Sequence, residues 1–170
     1  NKGDGWMGVR FQLDPKKKPN EFIIHVRLHD QDAKLQQESI GVLGTNLIHA
    51  CFNEKDPVKM LKRLYDNLTR SNIEIDTVEL TGPDFQNVDN RVLSLVLVKE
   101  SMTDAVIFTP DQKNHQPSDL LHKKNILTIR GSFRPVTKVN IDMMEKGMEA
   151  FLKDKKVTND NVQLLFEITL

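Results

Sequence analysis

The chain has 170 residues, which fits one domain, and 38% hydrophobic with 28% charged residues is too apolar for a disordered segment. Lys+Arg and Asp+Glu are equal at 24 each, so there is no basic excess to neutralise phosphates and no nucleic-acid partner is expected. The longest apolar runs, such as Leu95 to Val98, fall far short of the roughly 20 residues of a spanning helix, so no membrane partner is expected. The single cysteine, Cys51, excludes an internal disulfide and suits a reducing, cytoplasmic compartment.

Residues 6–13 alternate Met7, Val9, Phe11 and Leu13 against Trp6, Gly8, Arg10 and Gln12, the period of a half-buried strand. DPKKKPN then reads as a turn. Residues 21–29 alternate again, with Phe22, Ile24, Val26 and Leu28 opposite Ile23, His25, Arg27 and His29, and the pair predicts a hairpin. From Ala33 to Phe52 the period becomes helical, with Leu35, Ser39, Val42, Leu43, Asn46, Leu47, Ala50 and Cys51 on one side. Gly41 and Gly44 read as small positions for close approach of another element, because glycine in a helix otherwise costs about 1 kcal/mol. Asp56 and Pro57 are an N-cap followed by proline at the first helical position, and Val58, Leu61, Tyr65 and Leu68 supply that helix with an apolar stripe.

Residues 73–81 predict a strand whose alternation slips between Ile75 and Val78, the mark of a bulge or a late start. GPDF follows as a turn. NVDNRVLSLVLV suits strand or helix. Asp89 as N-cap, and the need for a crossover before DAVIFT, favour a helix. DAVIFT reads as a strand, PDQKNHQPSD as a polar loop, SDLLHKK as at most a short helix and NILTIRG as a strand. Ile141, Met144, Met148 and Phe151 predict an amphipathic helix over 139–153, followed by a loop and a last strand over 162–169. Strands alternating with helices predict a single α/β domain. Its mixed, largely parallel sheet would have an N-terminal antiparallel hairpin at one edge and helices on both faces. The chain opens on NKGDGW and ends in VQLLFEITL, which reads as a strand cut at its last residue, so the expected setting is a piece of a longer polypeptide.

The sharpest local motif is ILTIRGSFRPVTKVNIDMMEKGMEAF, in which a strand runs through a loop into a helix whose free amides and dipole suit a phosphate. It resembles the GSFDPVTxGH-like opening motif of the adenylyltransferases that make nicotinamide and pantetheine cofactors. In that superfamily the final histidine contacts the nucleotide phosphates. Gly131, Ser132, Phe133, Pro135, Val136 and Thr137 match; Arg134 stands where aspartate is common, Val139 replaces the glycine and Asn140 the histidine. Asparagine donates a hydrogen bond but carries no positive charge, so transition-state stabilisation is weakened. The residues the resemblance places around a phosphate or nucleotide are Gly131, Ser132, Arg134, Thr137, Lys138 and Asn140. The alternative is an ordinary strand-to-helix turn.

Over nearly the whole chain, the segments GWMGVRFQ, FIIHVRLHDQDAKLQQESIGVLGTNLIHACF, VDNRVLSLVLV and RGSFRPVTKVNIDMM resemble a bacterial family of longer proteins. Members are sometimes labelled nicotinate-nucleotide adenylyltransferase and sometimes TonB-dependent receptor. The second label conflicts with six strands interleaved with helices, because a barrel needs many alternating strands of about ten residues. The resemblance implies a bacterial origin and a longer chain, whose remainder would be a partner of this domain.

His25, Arg27 and His29 share one strand face, spaced about 7 Å apart, with Glu38 expected nearby. They suit a metal pair with a carboxylate, or an anion strip with Arg27 as bidentate clamp; the alternative is the solvated or interface face of an edge strand. His49 reads as a packed helix residue, and His115 and His122 as solvated. Cys51 on an apolar stretch reads as an inert small hydrophobe, Ser132 lacks a GxSxG setting, and the short lysine runs read as solvated turns. No catalytic residue is identified. The leading expectation is a non-catalytic or ligand-binding domain with a small anionic ligand at the 131–140 loop; the rival is a divergent nucleotidyltransferase using that loop for a nucleotide.

Overall fold

In a computed structural model the described residues are 3–111 and 114–169. Residues 1, 2 and 170, at the two termini considered above, and residues 112 and 113 of the expected polar loop lie outside them. Where the sequence pattern suggests one domain, the chain divides into two compact units, Asn1–Gln116 and Pro117–Leu170.

Unit 1 begins with the expected hairpin, β1 (Asp4–Phe11) and β2 (Asn20–Leu28), followed by α1 (Ala33–Asn53), α2 (Pro57–Arg63), β3 (Ile73–Thr81) and α3 (Asn90–Lys99). It ends in a two-residue pair, β4 (Ile107–Phe108) and β5 (Asn114–His115). Each helix starts where its cap residue dictates. The Asp32 carboxylate accepts from the amides of Lys34 and Leu35, that of Asp56 from Val58 and Lys59, and that of Asp89 from Arg91. The Asp89 cap resolves the strand-or-helix ambiguity at VLSLVLV in favour of helix.

Strand order is β1-β2-β3, antiparallel throughout. This corrects two expectations. The principal sheet is not parallel, and β2 is its central strand rather than an edge. The segment expected to add a parallel strand, DAVIFT, contributes only Ile107 and Phe108, paired antiparallel with Asn114 and His115.

One sheet face is apolar: Phe22, Ile24, Val26 and Leu28 of β2 lie between Val9 and Met7 of β1 and Leu80, Val78, Ile75 and Ile73 of β3. Leu43, Leu47, Ala50 and Cys51 of α1, Met60 and Leu61 of α2, and Leu93 and Leu97 of α3 complete this core. Leu35 and Val58, expected on buried stripes, are exposed, and Met60 takes the buried position in α2. Gly41 and Gly44 have nothing within 4 Å of a Cβ built on them, so no described element approaches them closely.

Behind β3, the buried Asn20 exchanges hydrogen bonds with Asp84, its amide group donating to Oδ2 at 2.9 Å and its carbonyl accepting from the Asp84 amide at 3.1 Å. Gly82 makes this close approach possible: its φ is +126°, and an added Cβ would lie 2.4 Å from Asn20 Oδ1. Gly82→Ala is expected to destabilise unit 1 by about 1–3 kcal/mol, read as a lowered thermal midpoint; an unchanged midpoint would contradict this.

Unit 2 comprises α4 (Pro117–Leu121), β6 (Asn125–Arg130), α5 (Lys138–Phe151), a 3-10 turn (Asn159–Asn161) and β7 (Val162–Glu167). Here the parallel expectation holds, on two strands: β6 and β7 pair in parallel register, connected through α5. Met144, Met148 and Phe151 are half-buried, Ile141 is exposed, and Ile129 and Val157 are the buried hydrophobics among the described residues of this unit.

Candidate functional site

The sheet face opposite the core carries the polar side chains. In cross-strand rows it presents Asp4, Arg27 and Glu74; Trp6, His25 and Thr77; Gly8, Ile23 and Glu79; and Arg10, Glu21 and Thr81. Register slips between His25 and Val26, so that His25 faces Thr77, Val26 faces Ile75, and Asp76 is the extra residue of a bulge. Counted from Ile73 and Ile75, alternation puts Asp76 on the polar face with Glu74. The bulge keeps Thr77 there too before Val78 and Leu80 return to the core, so Asp76 sits beside Thr77, aimed at His25 and Arg27.

Asp76 is 2% exposed. Its Oδ1 lies 2.8 Å from His25 Nδ1 and accepts from Thr77 Oγ1 at 3.0 Å, while Oδ2 lies 2.9 Å from Arg27 Nε. The Arg27 contact is close but too oblique for a hydrogen bond, leaving Oδ2 without one, so charge rather than directed bonding holds that pair. A carboxylate acceptor selects the His25 tautomer with its proton on Nδ1. His25 itself is buried, and the Trp6 ring packs edge-on against it with centroids 5.1 Å apart, although Trp6 is 60% exposed.

A second carboxylate continues the network. Glu74 lies 3.5 Å from His29 Nε2 and 3.2 Å from the Arg70 guanidinium, and it accepts from Thr103 Oγ1 at 2.7 Å. Arg70 also pairs with Asp104 at 3.1 Å and donates to the Met102 carbonyl. Partial burial pushes the Glu74 carboxyl up, but the Thr103 hydrogen bond and the charges of Arg70 and Arg27 outweigh it and hold the group below its ordinary value of 4.5. Such a carboxylate stabilises the fold above the unfolded pKa, and that contribution is lost as pH falls through the lower folded pKa. Urea midpoints of unit 1 are therefore expected to fall from pH 5 towards pH 3, and Glu74→Gln should flatten part of that slope; an equal slope in the variant would remove Glu74 from the account.

The sequence pattern brings His25, Arg27 and His29 together correctly, but it passes over Asp76, Glu74, Arg70 and Thr103, which fix what the three can do. The slip at Ile75/Val78 is the signal that marks Asp76. Glu38 belongs elsewhere: its carboxylate is exposed and lies 4.0 Å from Lys34 Nζ. Arg27, expected as an anion clamp, directs Nε at Asp76. Among the described residues no three His, Cys, Asp or Glu side chains are grouped to hold a metal ion.

The 131–140 loop is in unit 2, at the carboxyl end of β6. The Gly131 amide donates to the Glu167 carbonyl at 3.1 Å, extending the β6–β7 ladder. Phe133, at φ +50°, folds its ring over Gly131, where an added Cβ would lie 3.0 Å from the ring, and stacks edge-on against Phe166 at 5.2 Å. The Arg134–Pro135 peptide is cis. Thr137 and Asn140 form a capping box: Asn140 Oδ1 accepts from the Thr137 amide at 2.8 Å and from its hydroxyl at 2.7 Å. Ser132, Arg134 and Lys138 are exposed.

Other reactive groups are quiet. Burial pushes the Cys51 thiol up to about 12, so no thiolate forms near neutrality. His49 is exposed on α1 rather than packed, His122 is exposed, and His115 is half-buried in β5. No helix among the described residues is long and apolar enough to cross a membrane. Comparisons with protein-family models, curated proteins and solved structures find no match to this chain.

Proposed function

We propose that this chain is a non-catalytic scaffold or ligand-binding α/β module of a larger cytosolic bacterial protein, whose remaining chain is its principal partner. The observation that carries this reading is the Asn140 side chain. At the position where the resembling adenylyltransferases have a phosphate-contacting histidine, it turns back to cap its own helix through Thr137. Gly131 supports the same reading, since its lack of a side chain accommodates the Phe133 ring. The histidines of unit 1 point the same way: His25 is oriented by Asp76, yet among the described residues no hydroxyl or thiol hydrogen-bonds its other ring nitrogen to act as a nucleophile.

The rival reading, a divergent nucleotidyltransferase, is favoured by one feature: the loop opens at the carboxyl end of parallel strands with Arg134 and Lys138 exposed beside it. Isothermal titration with ATP and with nicotinate mononucleotide separates the two. No heat with either is expected. Turnover to a dinucleotide and pyrophosphate would overturn the non-catalytic reading in favour of its rival. Nucleotide binding without turnover, abolished by Arg134→Ala with Lys138→Ala, would instead overturn the expectation of no heat and make the loop a ligand site of a non-catalytic module.

A further inference from the structure

The two edges of the unit 1 sheet are treated differently. Along β3 several outward backbone groups are occupied: Tyr65 Oη donates to the Ile73 carbonyl, the Ile75 amide donates to the Met102 carbonyl, and the Asn90 side chain bonds both the amide and the carbonyl of Leu80. Along β1 they are not. The Leu28 amide donates to Gly3 across the hairpin at 2.8 Å, so Gly5, Met7, Val9 and Phe11 direct their backbone bonds to β2. Asp4, Trp6, Gly8 and Arg10 therefore direct theirs outward, and within unit 1 no described residue hydrogen-bonds them. A bare edge of this length is a template for another strand.

The side chains say which strand. Consider a second β1 placed antiparallel about a two-fold axis at Met7, the register in which all four outward residues find hydrogen-bonded partners. Asp4 then faces Arg10 of the other copy, and Trp6 faces Gly8. Opposite charges meet twice, and each exposed indole lies over a glycine that offers it room, as aromatic and glycine cross-strand neighbours do elsewhere. Moving the register by two residues loses both charge pairs. The helix layer agrees independently. Phe52 of α1 lies 5.9 Å from Phe11 of β1, and on the same side of that helix are Ile48, 53% exposed, and Gly44, whose Cβ position meets nothing within 4 Å. This side is open to close approach by a second helix.

We propose that β1 is the interface of a two-fold symmetric homodimer, in which two three-stranded sheets join into one six-stranded antiparallel sheet. Sedimentation velocity over a range of protein concentrations tests it. The parent chain is expected to reach the mass of two chains. Asp4→Arg and Arg10→Asp, each studied alone, oppose like charges at both pairs and should weaken association by about tenfold or more. Their equimolar mixture restores both opposite-charge pairs and should recover the dimer, which also shows that both variants fold. A single-chain mass for the parent at every concentration would overturn the proposal and assign the edge to another occupant. A dimer that both substitutions leave intact, or variants that fail to associate when mixed, would overturn it equally.

Discussion

Asp76→Ala is expected to destabilise unit 1 by about 2–4 kcal/mol, one of the two largest effects of a single substitution in this molecule. The carboxylate is buried, and its removal leaves His25 without its Nδ1 acceptor and takes from Arg27 the counter-charge 2.9 Å from its Nε, with Glu74 still acting on it. Removing one partner of a fully buried ion pair costs about 3–5 kcal/mol. The smaller range applies here because the Arg27 side chain is 30% exposed and can turn its charge to water. Asp76→Asn, which keeps the shape and an acceptor oxygen, should cost less. Urea unfolding followed through Trp6, the single tryptophan and a direct neighbour of His25, measures both. Arg27→Ala combined with Asp76→Ala should cost less than the sum of the single losses, because the pair shares one interaction. A loss within about 0.5 kcal/mol for Asp76→Ala, the size of an ordinary surface change, would show that the bulge does not depend on this carboxylate.

The second large effect is Phe22→Ala, expected to cost about 3–5 kcal/mol. Phe22 is fully buried on the central strand, in a row with Val9 and Leu80, and the core behind it is closed by three helices that cannot all move into the vacated volume. Ile126→Ala in unit 2 provides the contrast. That residue is 40% exposed, and its truncation should cost about 1 kcal/mol or less. The comparison is made by urea midpoints with unchanged slopes. Equal losses at the two sites would contradict the distribution of burial between the units.

Much of the local structure follows from near neighbours in the chain. The hairpin of β1 and β2 is written in period-two alternation, and the starts of α2 and α3 in Asp56-Pro57 and Asp89, because a cap acts on amides two or three residues away. The strand-to-helix turn at Gly131 is likewise legible. Its inner wiring is not, since an asparagine three residues after a threonine serves a ligand or a cap equally well until the side chain is placed. The strand slip at Ile75/Val78 is visible in the sequence, but its consequence requires the partner strand.

By itself the sequence determined most of the helices and strands, the apolar faces of β1 and β2, and that His25 and Arg27 share a side, but not how little of DAVIFT is strand. Those properties depend on backbone period and local capping. Strand neighbours were decided only in three dimensions. Alternating helices and strands suggested a parallel sheet, yet β3 returned antiparallel beside β2, and DAVIFT joined a separate short pair. That pairing placed Asp76 and Glu74 against the histidine face, converting an expected anion strip into a self-neutralised network, and it left β1 rather than β2 at the open edge. The physical reason is range. A strand's pattern records that one face meets a core, while the identity of the opposing strand rests on contacts among residues some fifty positions apart, such as His25 and Asp76, which no local period encodes.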